Sequence, residues 1–206
     1  MEQIFIIQLS WRHIKVVFRD RHAYLRSKEE LKSEIDKHIE KESIIKSEKL
    51  ETGVLLNFNR ARNELKQAQS LFEISYNKKI KEELELLSDD TFYSGAISHA
   101  YYAIFFGTKA ILLTINIKTK SPNIHKATLD AFAYYFIING KLDVKLLQMY
   151  RSSLVKADSL LGLLIQEKDK RGKFTYQQLP QSNREPAEES INNAKTFLRH
   201  IEKLIK

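Results

Sequence analysis

The sequence predicts an all-α protein, an antiparallel up-and-down bundle of four to six helices, on three observations. Six Gly and three Pro in 206 residues are too few breakers for the turns of an all-β domain. Long segments repeat apolar residues at alternating steps of three and four, the period of one helix face. One of them, "TFYSGAISHAYYAIFFGTKAILLTINI" at 91–117, is apolar nearly all round, as a helix at the centre of a bundle must be.

The elements follow in order. Residues 1–26 read as a short strand with a basic arm, an extra helix or an extension. From Ser27, "SKEELKSEIDKHIEKESIIKSEK" spaces Leu31, Ile35 and Ile39 four apart among charges, an apolar stripe on a solvated helix, and Ser27 with Glu30 forms a candidate capping box. Residues 1–50 are therefore expected to be an N-terminal extension with a charged helix, and residues 51–206 the bundle domain. A helix over about 52–77 places Leu55, Phe58, Arg62, Leu65, Gln69 and Phe72 on one face, with Val54, Ala61 and Ala68 beside it.

After the charged "KKIKEELELLSDD", Asp89 and Asp90 suit the start of the apolar helix. Within that helix Ala96, Ala100, Ala103, Gly107 and Ala110 share one face, so a neighbouring helix can approach closely. Tyr101, Tyr102, Phe105 and Phe106 read as core at this spacing, with base stacking as the alternative use of the rings. A helix over about 123–138 ends at Asn139-Gly140 through a left-handed cap. The next runs from Val144 to about Asp169 on Leu147, Tyr150, Leu154, Ala157, Leu161 and Leu164. The last begins near Pro186, a favoured first-turn residue, on Ala187, Ile191, Ala194, Leu198, Ile201 and Ile205.

Composition narrows the function classes. No Cys is present, which removes disulfides, thiolate catalysis and Cys-ligated zinc and fits a cytoplasmic location. No apolar run approaches the roughly 20 uninterrupted residues of a membrane span. Thirty-four basic against 26 acidic residues give a formal charge of +8, a surplus that favours polyanions such as RNA, DNA or a nucleotide. There is no Gly-rich phosphate loop, no His-Glu-x-x-His and no carboxylate-x-x-His pair, and the six His are scattered, so neither metal nor cofactor is expected.

Four segments in order carry a resemblance: "ISHAYYAIFF", "HKATLDAFAYYFIINGKLD", "YRSSLVKAD" and "AEESINNAKTFLRHIEKLI". Together they resemble the HEPN domain family over about residues 53–206, with Tyr101-Tyr102-Ala103 as the signature. The resemblance implies a dimeric helical bundle, found in RNA-cleaving toxins, in defence RNases, or as the partner of a small nucleotidyltransferase. Catalytic members carry an Arg followed four to six residues later by a His, for metal-independent cleavage of RNA. The chemistry is reasonable: Arg grips a phosphate with a planar fork and His moves a proton near neutral pH.

None of the ten Arg here has a His at that spacing. Arg171 has Tyr176 five positions on, in "KRGKFTYQQLPQSN" at 170–183. Tyr with an ordinary pKa near 10 is a poor general base at pH 7. Lys170, Arg171, Lys173 and Tyr176 are thus either an anion-binding or altered active site, or a basic turn at a helix C-terminus. Tyr176 is also the candidate for modification by a paired nucleotidyltransferase. Arg151 and Asp158 lie seven apart on one helix face, where Asp158 is either a buried polar residue that organises a site or a member of a surface ion pair. His99 is placed either in an inter-subunit cleft or as a satisfied His near the core. The expected protein is a homodimer that binds RNA, a nucleotide or a partner nucleotidyltransferase, with a metal-independent endoribonuclease and a purely structural interaction protein as alternatives.

Overall fold

A computed structural model describes residues 27–46, 51–169 and 184–205. The readings made for residues 1–26 lie outside them, as do Lys170, Arg171, Lys173 and Tyr176. Seven helices and two short strands follow one another: α1 Lys28–Glu40, β1 Ile44–Lys46, α2 Glu51–Tyr76, α3 Lys78–Glu83, α4 Tyr93–Leu113, β2 Ile117–Thr119, α5 Ile124–Phe132, α6 Val144–Asp169 and α7 Arg184–Ile205. α5 runs on into a π turn, Ala133–Ile137. The protein is an all-α bundle, with more helices than the four to six expected.

α4 is the hub, packed most extensively on α2 and then on α7 and α6. Its small-residue face explains why. Ala96, Ala100, Ala103 and Ala110 are fully enclosed, and a Cβ added at Gly107 would stand 2.6 Å from Leu198 Cδ2 and 4.0 Å from Ala61 Cβ. Two helices therefore close on one stripe, which larger side chains would hold apart. Behind it the rings of Phe132, Tyr150 and Phe197 pack with centroids 5.5–6.2 Å apart. By length and composition alone α4 is long and apolar enough to cross a membrane, but 72% of its apolar window is buried within the bundle.

α1 opens with the predicted capping box: Glu30 N–H donates to Ser27 Oγ (3.1 Å) and Ser27 N–H to Glu30 Oε2 (3.0 Å). Such a cap stabilises a helix by about 1 kcal/mol. The apolar stripe is corrected, however. Leu31 and Ile35 are buried, Ile39 is 49% exposed, and His38 takes the third inward position. A hydrogen bond to buried Asp130 of α5 (3.0 Å) turns His38 in.

The helix also stops sooner than the charge pattern suggests. Ser43 N–H bonds to the His38 carbonyl and Glu42 N–H to that of Ile39, with Glu42 at φ +53°, a Schellman closure without glycine. Ile44–Lys46 then pairs antiparallel with Ile117–Thr119, so a small sheet exists where none was expected. Leu31, Ile35 and Ile44 join the main core, which ties α1 and β1 to the bundle.

On α2 the buried side is Phe58, Ala61, Glu64, Ala68 and Ser75, whereas Leu55 and Arg62 face outward. The expected face was rotated because close approach to α4 needs Ala61 and Ala68 at the contact. Asp90 does not cap α4; its carboxylate accepts from Leu87 N–H at 2.8 Å, while Phe92 N–H finds Ser75 Oγ. Gly140, at φ +68°, ends the fifth helix as predicted. α6 spans the predicted residues and α7 starts two residues before Pro186.

Candidate functional site: the open face of α4

One stripe of α4 is left uncovered. Gly95, Ser98, His99, Phe106 and Lys109 are half-buried and Tyr102 is 39% exposed, while the rest of the helix beyond its first turn is enclosed. The spacing of 95, 99, 102, 106 and 109 alternates four and three, so these side chains share one face. The four aromatics read as core thus divide: Tyr101 and Phe105 are buried, and Tyr102 and Phe106 reach the surface.

The α2 flank is a three-residue chain. His99 Nδ1 meets Glu64 Oε2 at 2.6 Å, and Arg60 Nε donates to Glu64 Oε1 at 2.7 Å. Glu64 is 2% exposed, so its carboxylate is desolvated and needs both partners. Held by Nδ1, the His99 ring keeps Nε2 for another group. Arg60 also lays its guanidinium 5.3 Å above the Phe106 ring. His99 is therefore hydrogen-bonded to a buried carboxylate and yet partly open. Glu64 and Arg60 were missed, although a carboxylate between Ala61 and Ala68 on a buried helix side was a readable sign.

The opposite flank joins α5 and α6. Tyr101 Oη and His125 Nδ1 are 2.6 Å apart. Burial, then the charge of Asp158, pushes the Tyr101 phenol well above its ordinary value. Burial lowers His125; Asp158 opposes that shift and Lys109 adds to it. Both shifts favour a phenol that donates to a neutral imidazole. Asp158 is exposed, which corrects its expected place as a buried organising residue, and it acts on both groups through its charge. Arg151 is half-buried on the same helix. Lys109 Nζ stands 5.6 and 5.9 Å from the centroids of Phe105 and Phe106, and burial, then Lys118, lowers its pKa.

A second cluster resembles a metal site by residue type. Ligand atoms of Glu34, His38 and Asp130 lie within 4.8 Å of one another. Lys126 Nζ bonds to both Glu34 and Asp130, so an ammonium already supplies the cation between the two carboxylates. These contacts, from Lys126 first and then Lys37, hold the Glu34 carboxyl down at about 2.

Three relatives align with this chain. A protein of Methanocaldococcus jannaschii named "Putative toxin MJ0605" is 28% identical over 144 residues, covering 63% of this chain and 94% of the relative. A second from the same organism, named "Putative toxin MJ0142", is 39% identical over 71 residues. The "UPF0332 protein glr0978" of Gloeobacter violaceus is 30% identical over 61 residues. The chain spans 46% of the length of each of these last two. No family model matches the chain. No solved structure matches it significantly.

Proposed function

We propose that this chain is a toxin-related helical protein of the HEPN type, a homodimer that binds RNA through the open face of α4. The observation that carries the reading is the stripe itself. Two half-exposed rings, Tyr102 and Phe106, alternate with Lys109 and with Arg60 from α2, inside a helix otherwise committed to packing. Rings that stack bases beside cations that track a phosphate backbone are the recurrent design for single-stranded nucleic acid. Net charge of +8 and the names of the two Methanocaldococcus relatives support the same direction. A paired nucleotidyltransferase acting on Tyr176 remains the partner hypothesis that the resemblance implies.

Fluorescence anisotropy with a labelled single-stranded RNA, at two salt concentrations, tests the proposal. Tyr102→Ala should weaken binding about tenfold, since one stacked base is worth about 1–3 kcal/mol. Lys109→Gln should flatten the salt dependence by about one phosphate contact. Unchanged affinity in both variants would retire the α4 face, and a monomer in sedimentation would retire the dimer.

One observation favours catalysis as a second reading: His99 is oriented by a buried carboxylate and retains a second ring nitrogen, the arrangement of a general acid–base. It predicts RNA cleavage in EDTA that is lost in His99→Gln. If cleavage persists there and disappears in Arg171→Ala or Tyr176→Phe, the catalytic pair is the one sought in the 170–183 segment instead.

A further inference from the structure

A cavity of about 380 Å³ opens at the N-terminal end of α4, between α3, the turn before α4 and the first residue of α7. Its walls include Tyr76, Lys78, Lys81, Asp89, Thr91 and Arg184. Lys81 is the unusual member. It is 6% exposed, and its ammonium donates one hydrogen bond, to the Ser88 carbonyl at 2.7 Å. Among the described residues no carboxylate lies within ion-pair distance of it, although Asp89 is on the same wall. An ammonium has three donors, and a buried one without a counter-charge is held at substantial cost.

The rest of the cavity points the same way. Thr91 Oγ1 is shielded from solvent and has no hydrogen-bond partner among the described residues. Lys78 and Arg184 add two positive charges at exposed positions; Asp89 is the acidic residue of the lining, and Glu73 and Glu188 act on Tyr76. The Arg184 guanidinium lies 5.2 Å over the Tyr76 ring, and that phenol donates to Glu73. A flat ring is thereby fixed beside the cations.

We propose that this cavity binds a phosphoryl group, with Lys81 as the buried counter-charge, Thr91 as a hydroxyl donor and Arg184 and Lys78 closing over the anion. Lysine serves phosphate as a point charge, and arginine as a fork. The group can arrive on a free nucleotide or on the 5′ end of an RNA strand. The site is distinct from the α4 face and does not depend on the reading given above.

Calorimetric titration of the full chain in chloride buffer tests it with inorganic phosphate, adenosine 5′-monophosphate, and one RNA oligomer carrying either a 5′-phosphate or a 5′-hydroxyl. Phosphate is expected to bind, and Lys81→Met to weaken it about tenfold or more. Arg184→Gln, at an exposed position that spares the fold, should weaken it too. Tighter binding of the mononucleotide than of phosphate, lost in Tyr76→Ala, identifies a free nucleotide. Preference for the 5′-phosphorylated oligomer over the 5′-hydroxyl one, with the mononucleotide no better than phosphate, identifies a strand end. Absence of heat with both phosphate and the mononucleotide overturns the proposal. So does an affinity unchanged in Arg184→Gln and in a folded Lys81→Met.

Discussion

The two faces of α4 are built from the same 21 residues and do opposite things. On the closed face, Ala96, Ala100, Ala103, Gly107 and Ala110 remove side-chain volume so that α2 and α7 can approach. On the open face, His99, Tyr102, Phe106 and Lys109 recur at the same spacing but carry rings, an imidazole and an ammonium. Equal periodicity therefore does not mean equal use. Packing selects for smallness and shape, whereas the open stripe holds polar heads on apolar stems and rings, chemistry that a core would have to satisfy at once. Its flanks make the same point, since Glu64 and Tyr101 are buried groups that orient the partly open His99 and His125.

The comparison is most easily broken at Gly107. A valine there places methyl groups where Leu198 already stands, and we expect a loss of about 2–3 kcal/mol, read from the urea midpoint. A Gly107→Val protein as stable as the wild type would mean that α7 is not seated on α4 as described.

The next test sharpens the contrast. Tyr102→Ala should change stability by about 0.5 kcal/mol or less while it weakens RNA binding, because the ring is a surface feature. If urea denaturation shows a loss like that of Gly107→Val, Tyr102 is core and the two faces are not distinct.

The smallest effect concerns pH. His125 is exposed on one side and faces Tyr101, Tyr102, Phe105, Lys109 and Asp158 on the other, and partial desolvation lowers its pKa from the ordinary 6.5. A histidine lowered on folding contributes stability that is complete above 6.5 and is lost as pH falls through its depressed folded value. Stability curves measured between neutral pH and mildly acidic pH should therefore fall more steeply for the wild type than for His125→Phe. Parallel curves would show that the Tyr101–His125 bond does not discriminate between the protonation states.

Much of the fold was legible, because it obeys local rules. The Ser27–Glu30 box, the Gly140 stop, the extent of α6 and the small-residue face of α4 each follow from a few neighbouring residues. The errors have two origins, a local backbone device and partners distant in sequence. The end of α1 was misread because Glu42 takes the left-handed position that usually announces itself as glycine, and the same device recurs at Glu85 after α3. The site was less legible than the fold. His99 was singled out, but Glu64 is 35 residues away from it and His125 is 24 residues from Tyr101. No spacing within one helix could report either pair. Lys170, Arg171, Lys173 and Tyr176 lie outside the described residues.

By itself, then, the sequence determined that α4 is central, that its alanine and glycine stripe is a packing surface, and that the chain carries a basic surplus without cysteine. Those properties depend on residue type and period alone. Tertiary structure decided which rings of α4 stay open, which buried group holds His38, His99 and His125, and that Lys81 would be enclosed beside a cavity with no carboxylate within ion-pair distance among the described residues. Hydrogen bonds and desolvation depend on which groups meet, and that is fixed when helices far apart in sequence pack together.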